Sequence, residues 1–523
     1  MDLSNGYNIV CKIDLNCCEC ESYNWLFQQL CPWDRAVFAT NDRILFTYSG
    51  TLSLDLLSHV QRVINLLDIT NLFVLIVTTD IDIEHKINHV TTSISTDQTK
   101  FNFSIVSLDQ PITDRPITKF SLPDTMCLAP WGRVEIQSDS SVTPCCVYDG
   151  GIRDEDNVLM KITDHTIEQV YFSKELINLR QDFLSGNRPS KCNDCWVHES
   201  AKIKSSREHY LWDLKNQQYN IDFYNDTTKN IKVIHSVLGN VCNLKCRICN
   251  AGSSSKIAAE ELAQLPKAER KSNVLYTQLK QKSWVKDKNI KFWQEYVDLS
   301  SDLIEISFAG GEPMLIDQQF DLVRKIAENK TAAAINLRYT TNGTIFPNEE
   351  ILDVWKLYKK VDISLSIDDI GERFEYQRSG LIWKEVKKNI QKYQQLKDQF
   401  DIELKINSTI SIFNIWDLPE LCYEIENIGV DFVRLSVLQS PSVLSIRHLP
   451  AAVKIEIIKK LSNACFPKIV QSQIEGIINF INLDSTDYIT NNIVNHIQRL
   501  DVIRNQNFSQ IFPEMAKFLN YQK

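Results

Sequence analysis

From residue 231 to about 445 the chain alternates between two hydrophobic periods. Short apolar, β-branched runs at 232–238, 303–308, 334–340, 361–367, 403–410 and 432–438 read as strands. Between them, 320–328, 352–359, 384–395 and 418–428 repeat apolar residues every three to four positions, the period of an amphipathic helix. Strands that alternate with helices predict parallel βαβ units and an α/β fold. About six such units suit an incomplete β/α barrel. Residues 267–297 are long and charged, and are expected to insert as helix after the first unit. From about 446 to the end the pattern is helical and is expected to pack on or cap the barrel.

Upstream the pattern is different. Residues 1–120 predict a small α/β domain, with strands at 36–48, 71–78 and 101–108 and helices at 54–67 and 83–93. It has no phosphate-binding glycine loop. A structural cap is the plainer reading of this domain and a docking role the other. Residues 121–230 read as loop-rich and carry five cysteines.

Composition narrows the class. The 523 residues are 43% hydrophobic and 24% charged, ordinary values for a globular protein. A net charge of -9 argues against nucleic-acid binding by bulk charge. No run of about 18 apolar residues predicts a membrane span. The first residues lack a basic stretch followed by an apolar core, so no signal peptide is expected. Fifteen cysteines without an export signal point to metal or catalysis in a reducing cytoplasm, not to disulfides.

The cysteines are clustered. Cys242, Cys246 and Cys249 lie in a C-x3-C-x2-C run after the first strand, where a β/α barrel carries its chemistry. Three thiolates can hold three irons of a [4Fe–4S] cluster and leave one iron open. A zinc site completed by His235 is the alternative. The second strand runs into Gly310-Gly311-Glu312-Pro313, whose glycines admit a ligand to the backbone and whose carboxylate can accept from an amine. On the fourth strand Ser364, Ser366 and Asp368 share one face. Arg378 carries a fork that fits a carboxylate, and Asn342 follows the third strand. Asn407, Ser408 and Thr409 lie on the fifth strand.

Together these residues resemble the radical S-adenosylmethionine (SAM) superfamily, over roughly residues 121–445. The resemblance implies a partial (β/α)6 barrel and a [4Fe–4S] cluster on Cys242, Cys246 and Cys249. Its open iron binds SAM. The resemblance places Glu312 at the SAM amino group, Arg378 at its carboxylate, Ser364, Ser366 and Asp368 at the ribose, and Ile248 near the adenine. It implies that one electron cleaves SAM to methionine and a 5′-deoxyadenosyl radical, which abstracts hydrogen from a substrate. A one-electron donor such as a flavodoxin or ferredoxin is implied.

Cys127, Cys145, Cys192 and Cys195 could ligate a second, auxiliary cluster. The arrangement resembles the twitch module, related to the SPASM domain, with two departures. Ser140 stands where a glycine is expected, and the module precedes the barrel instead of following it. Cys146 is an alternative to Cys145, and a zinc ribbon is the alternative to the cluster. The N-terminal Cys11, Cys17, Cys18, Cys20 and Cys31 match no metal motif, and Cys422 and Cys465 read as packing residues. The resemblance does not name a substrate. A peptide or protein side chain is preferred, since the N-terminal domain could dock one. A small molecule, sugar or nucleotide is the alternative, and a non-enzymatic metal-binding interaction protein the second.

Overall fold

The computed structural model describes residues 123–217, 229–274, 276, 279, 284–285, 290–483 and 490–522, together with the backbone of four strands before residue 123. The chain divides into two compact units.

In the first unit, strands β1 (Asn8–Asp14), β2 (Asp42–Tyr48), β3 (Phe73–Thr78) and β4 (Asn102–Ser107) form a parallel sheet in sequential order. The three strands read from the sequence are present, and β1 was missed. The two helices expected there, and Cys17, Cys18, Cys20 and Cys31, lie outside the described residues.

The second unit is built on one sheet. Strands β5 (Arg133–Ile136), β6 (Val142–Thr143) and β7 (Val233–Val237) precede the two-residue β8 (Lys245–Cys246). Then follow β9 (Glu305–Ala309), β10 (Asn336–Thr341), β11 (Lys360–Ser366), the two-residue β12 (Arg378–Ser379), β13 (Ile402–Ile410) and β14 (Phe432–Val437). The sheet order is β14-β13-β11-β10-β9-β7-β5-β6. Its six barrel strands are the six read from the sequence, all parallel and in chain order. This is the partial barrel of an α/β protein.

The two faces of this sheet differ. Strand β13 alternates strictly between buried and half-buried positions. Its buried set, Ile402, Leu404, Ile406, Ser408 and Ile410, lies on the face that packs against helices. Ile306, Phe308, Leu337, Tyr339, Ile363 and Leu365 continue this face and are fully buried. Helix Trp383–Leu396 turns Val386, Asn389, Ile390, Tyr393 and Leu396 inward at three- and four-residue steps. The opposite, lumenal face is charged. Arg338 reaches Glu305 and Asp362 at 3.0 Å each, and Lys405 joins Asp362 and Glu403.

Two expectations are corrected. Residues 121–230 are not loop-rich, since helices Lys174–Leu184, Asn193–Ser200 and Ser206–Gln217 occupy much of the segment. Specific polar contacts hold this segment where a long apolar stripe is lacking. Fully buried Arg180 donates to the carbonyls of Pro130 and Tyr171 at 3.0 and 2.9 Å and lies over the Tyr171 ring. Residues 267–297 are not one helix either. A 3-10 turn forms at Arg270–Ser272, the described residues 274, 276 and 279 are helical, 284–285 form a turn, and helix resumes at Ile290–Leu299. Helices Ala451–Asn463, Lys468–Ile481 and Thr490–Arg504 follow the barrel as expected.

Candidate active site

The cysteine loop leaves β7 at Val237 and ends at Ser254, whose hydroxyl accepts from Ile257 N–H to start helix Ser255–Gln264. The same hydroxyl donates to the Leu244 carbonyl at 2.7 Å, which ties the loop to the helix start. Cys242, Cys246 and Cys249 are all unbridged thiols and lie near enough to perturb one another electrostatically. Burial pushes Cys242 up to about 11 and Cys249 up to about 12, while the Arg378 guanidinium pulls both down. Loss of these protons requires a cationic partner, as a metal cluster supplies. Ile248 is half-buried beside Cys249.

Arg378 reaches this loop through the backbone. Strand β12 pairs antiparallel with β8, so Arg378 stands opposite Cys246. Gly380 (φ +110°) follows, and a Cβ there would crowd the Asn243 carbonyl at 3.3 Å. The Arg378 Nε and Nη2 both donate to Asp368 Oδ2, at 2.8 and 2.7 Å, and Nη1 faces Cys246 Sγ at 3.7 Å. Asp368 also accepts from Thr409 N–H at 2.8 Å. Asp368 therefore aims an arginine at the cysteines. Ser364 sits deeper and donates to Asp362 at 3.4 Å, Ser366 is half-buried at the strand end, and Ser408 donates to the Ile367 carbonyl. Asn407 is half-buried on the lumenal face.

The Gly-Gly-Glu turn closes on the same loop. Gly310 (φ +76°) and Gly311 (φ +53°) are left-handed, and a Cβ on Gly311 would stand 2.2 Å from the Val241 carbonyl. These glycines admit the cysteine loop to the turn, a closeness the sequence reading assigned to a ligand. Glu312 is fully buried and donates its N–H to the Val241 carbonyl at 2.8 Å. Its carboxylate accepts from Met314 N–H, the Thr341 hydroxyl (2.7 Å) and Asn342 N–H (2.8 Å). Burial raises its pKa, and these donors oppose the rise. The Asn342 side chain donates to Asn243 at 2.9 Å.

Three residues that anchor the loop were missed in the sequence. Asn243 bonds Asn342 and Thr344. Arg247, between two of the cysteines, points away from them. It donates to Asp501 at 2.6 Å and Gln506 at 2.8 Å and stacks over Tyr376 at 3.8 Å. Asp501 lies 254 positions away on the C-terminal helices, and no local pattern marks it. His235, the candidate fourth zinc ligand, lies within β7 and is 2.8 Å from the Ser307 hydroxyl through Nδ1. Among the described residues no three His, Cys, Asp or Glu side chains gather tightly enough for one ion.

The second cysteine set also converges. Cys127 precedes the short helix Ala129–Gly132, and Cys192 and Cys195 flank the start of helix Asn193–Ser200. Cys127 is electrostatically coupled to Cys192 and Cys195, and Cys145 to Cys127. Cys145 is buried, whereas Cys146 is exposed and hydrogen-bonded to Tyr210. Ser140 takes the left-handed turn itself, at φ 70°. Cys422 is fully buried on its helix, whereas Cys465, expected as a packing residue, is exposed.

A family model described as the radical SAM superfamily matches residues 236–422, and one described as an iron–sulfur cluster-binding SPASM domain matches 127–196. No curated protein sequence matches the chain. Among solved structures, "Native anSMEcpe with bound AdoMet" is 16% identical with a TM-score of 0.29, covering 44% of this chain and 58% of that one. SuiB of Streptococcus suis is 13% identical with a TM-score of 0.25, covering 66% of this chain and 64% of that one. The chain thus spans less than two thirds of the length of either structure.

Proposed function

We propose that this chain, which carries a radical SAM domain preceded by a SPASM iron–sulfur domain, is an enzyme that abstracts hydrogen from a peptide or protein side chain. The carrying observation is one convergence at the C-terminal mouth of the barrel. The cysteine loop, the Gly-Gly-Glu turn and the Arg378 strand meet there through backbone pairing and buried hydrogen bonds. The donor set fits the cluster: three unbridged thiols stand on one loop beside a buried cation. When bound, the cluster would supply the electron that cleaves SAM to the hydrogen-abstracting radical.

In this reading Cys242, Cys246 and Cys249 hold the cluster. Arg378, held by Asp368, stabilises the thiolates and is the nearest fixed cation for a SAM carboxylate. Glu312, with Thr341 and Asn342, shapes the turn whose backbone meets the SAM amino group. Ser366 and Asn407 are lumenal polar groups that suit the ribose, and Ile248 packs near the adenine. Cys127, Cys145, Cys192 and Cys195 hold the auxiliary cluster, which favours a polypeptide substrate. Residues 121–230 form the auxiliary module, 231–445 the barrel and 446–523 a helical brace, with residues 1–120 as a separate domain. A flavodoxin or ferredoxin in a reducing cytoplasm would donate the electron. Among the described residues no helix is long and apolar enough to cross a membrane.

Anaerobic reconstitution with iron, sulfide, SAM and dithionite tests the reading. Release of 5′-deoxyadenosine is expected, and none from a fully iron-loaded protein would overturn it. Mass spectrometry of the same reaction run in cell extract then identifies the substrate.

A further inference from the structure

The auxiliary module does more than precede the barrel. Its strand β5 pairs in parallel with β7, so the barrel sheet continues into the module. The register sets Glu135 opposite His235, and His235 opposite Ser307. Arg133, two residues before Glu135, shares its face. Two side chains of the iron–sulfur module thus join the lumenal wall.

Both carry an unmet hydrogen bond in a buried setting. Glu135 is 1% exposed, and its Oε2 has no hydrogen-bond partner. The Nε of Arg133 is likewise buried and unpartnered. These two atoms stand 3.9 Å apart, too far to bond each other. Glu135 Oε1 accepts from Gln137 Nε2 at 3.4 Å and lies 4.0 Å from His235 Nε2. Orphaned buried groups of this kind are rare and call for an explanation. The surroundings add charge and hydroxyls of both kinds. Tyr210 packs under Arg133 at 5.0 Å, exposed Cys146 bonds Tyr210, and Glu305 on β9 and Arg338 on β10 lie beyond β7 on the same sheet. His235 is held neutral by burial and by Arg133 and Arg338. Burial also pushes Glu135 up to about 7, against the pull of Arg133.

We infer that Arg133 and Glu135 form a substrate subsite for an uncharged group that both donates and accepts a hydrogen bond, namely a hydroxyl or carboxamide. The charges decide the class. An anion would meet Arg133 but repel Glu135, and a cation the reverse. A neutral donor–acceptor group accepts from Arg133 Nε–H and donates to Glu135 Oε2 at once, and a 3.9 Å separation lets one oxygen or one amide set to the side of the pair reach both atoms. An apolar side chain would leave both atoms unpaired. The register places Glu135 two residues, and Arg133 four residues, below the level of Val237 and Ala309, beneath the Gly-Gly-Glu turn. The subsite rests on the proposed reading that the lumen receives the substrate.

The test is ligand-observed NMR of the reconstituted, anaerobic protein with N-acetyl amides of serine, asparagine, alanine, lysine and aspartate. The serine or asparagine probe is expected to bind about tenfold tighter than the other three, the worth of one good buried hydrogen bond. Serine above asparagine identifies a hydroxyl, and the reverse a carboxamide. Glu135→Leu and Arg133→Met should each reduce the preference to within about twofold, with iron content and melting temperature confirming an intact fold. Equal binding of the serine, asparagine and alanine probes means that the pair holds only a bridging water and overturns the proposal. So does tightest binding of the lysine or aspartate probe, or a preference that survives in Glu135→Leu. Binding is read without turnover, so a wild type that selects the serine probe but releases no 5′-deoxyadenosine would refute the enzymatic reading alone.

Discussion

Replacing Asp501 by alanine tests whether the C-terminal helices brace the cysteine loop. Asp501 is 3% exposed and accepts four hydrogen bonds. They come from Arg247 Nη2 (2.6 Å), the Tyr376 hydroxyl (2.7 Å), the Tyr521 hydroxyl (2.7 Å) and Phe508 N–H (2.7 Å). Burial pushes its pKa up, but these donors and Arg247 outweigh burial and hold it below the ordinary value. Removing one partner of a buried ion pair costs about 3–5 kcal/mol, because the other charge stays buried. The Arg247 side chain has no exposure at all, and its surviving contacts include Gln506, the Tyr376 ring, the Tyr376 carbonyl and the Phe413 ring. Each lost hydroxyl or N–H bond adds about 1 kcal/mol, partly recovered by relaxation. Asp501→Ala should therefore destabilise this unit by about 5 kcal/mol, and Asp501→Asn, which keeps an acceptor, by about half as much. Melting should fall by roughly 5–10 °C at a fixed scan rate. Arg247 lies between Cys246 and Cys249, so a chelator should also strip iron from the triad about tenfold faster. A melting point within 1 °C of wild type, with unchanged iron loss, would refute the brace.

Further outcomes follow from other parts of the site. Cys246→Ala should abolish 5′-deoxyadenosine release while the SPASM module keeps its iron; Cys192→Ala should retain release but lose substrate modification. Iron content and product assays separate the two. Gly311→Ala should lose roughly 3 kcal/mol of stability and most SAM cleavage, since its Cβ would stand 2.2 Å from the Val241 carbonyl at φ +53°. Ser140→Gly should raise stability by about 1 kcal/mol by relieving the left-handed φ of 70°, read as a higher melting temperature. Glu135 binds its proton more tightly folded (about 7) than at its ordinary 4.5, so its contribution to stability declines as pH rises from 4.5 to 7. Glu135→Gln should gain roughly 3 kcal/mol over wild type above pH 7 and nothing below pH 4, and a pH-independent gain would contradict that.

The six barrel strands were legible because each is a short apolar run with its own period, and burial of one face is a local demand. The cysteine spacing and the Gly-Gly-Glu turn were legible for the same reason, since each lies on one stretch of chain. The roles within the site were less so. Gly311 is needed for the cysteine loop to approach, and Asp368 orients Arg378, because pairing between β8 and β12 joins segments 132 residues apart. Ser140 shows that a serine can hold a left-handed turn where a glycine was expected, once its carbonyl accepts from Ile162 N–H.

The sequence alone thus determined the fold class, the cysteine loop and the chemistry its donor set allows, since period and spacing act over a few residues. Only the tertiary structure decided which Cys of the 145–146 pair turns toward Cys127, that Asp501 braces Arg247, and that the module's own strand puts Arg133 and Glu135 into the barrel wall. Those outcomes depend on which distant groups a buried charge or an unpaired donor meets, and chain order does not encode that distance.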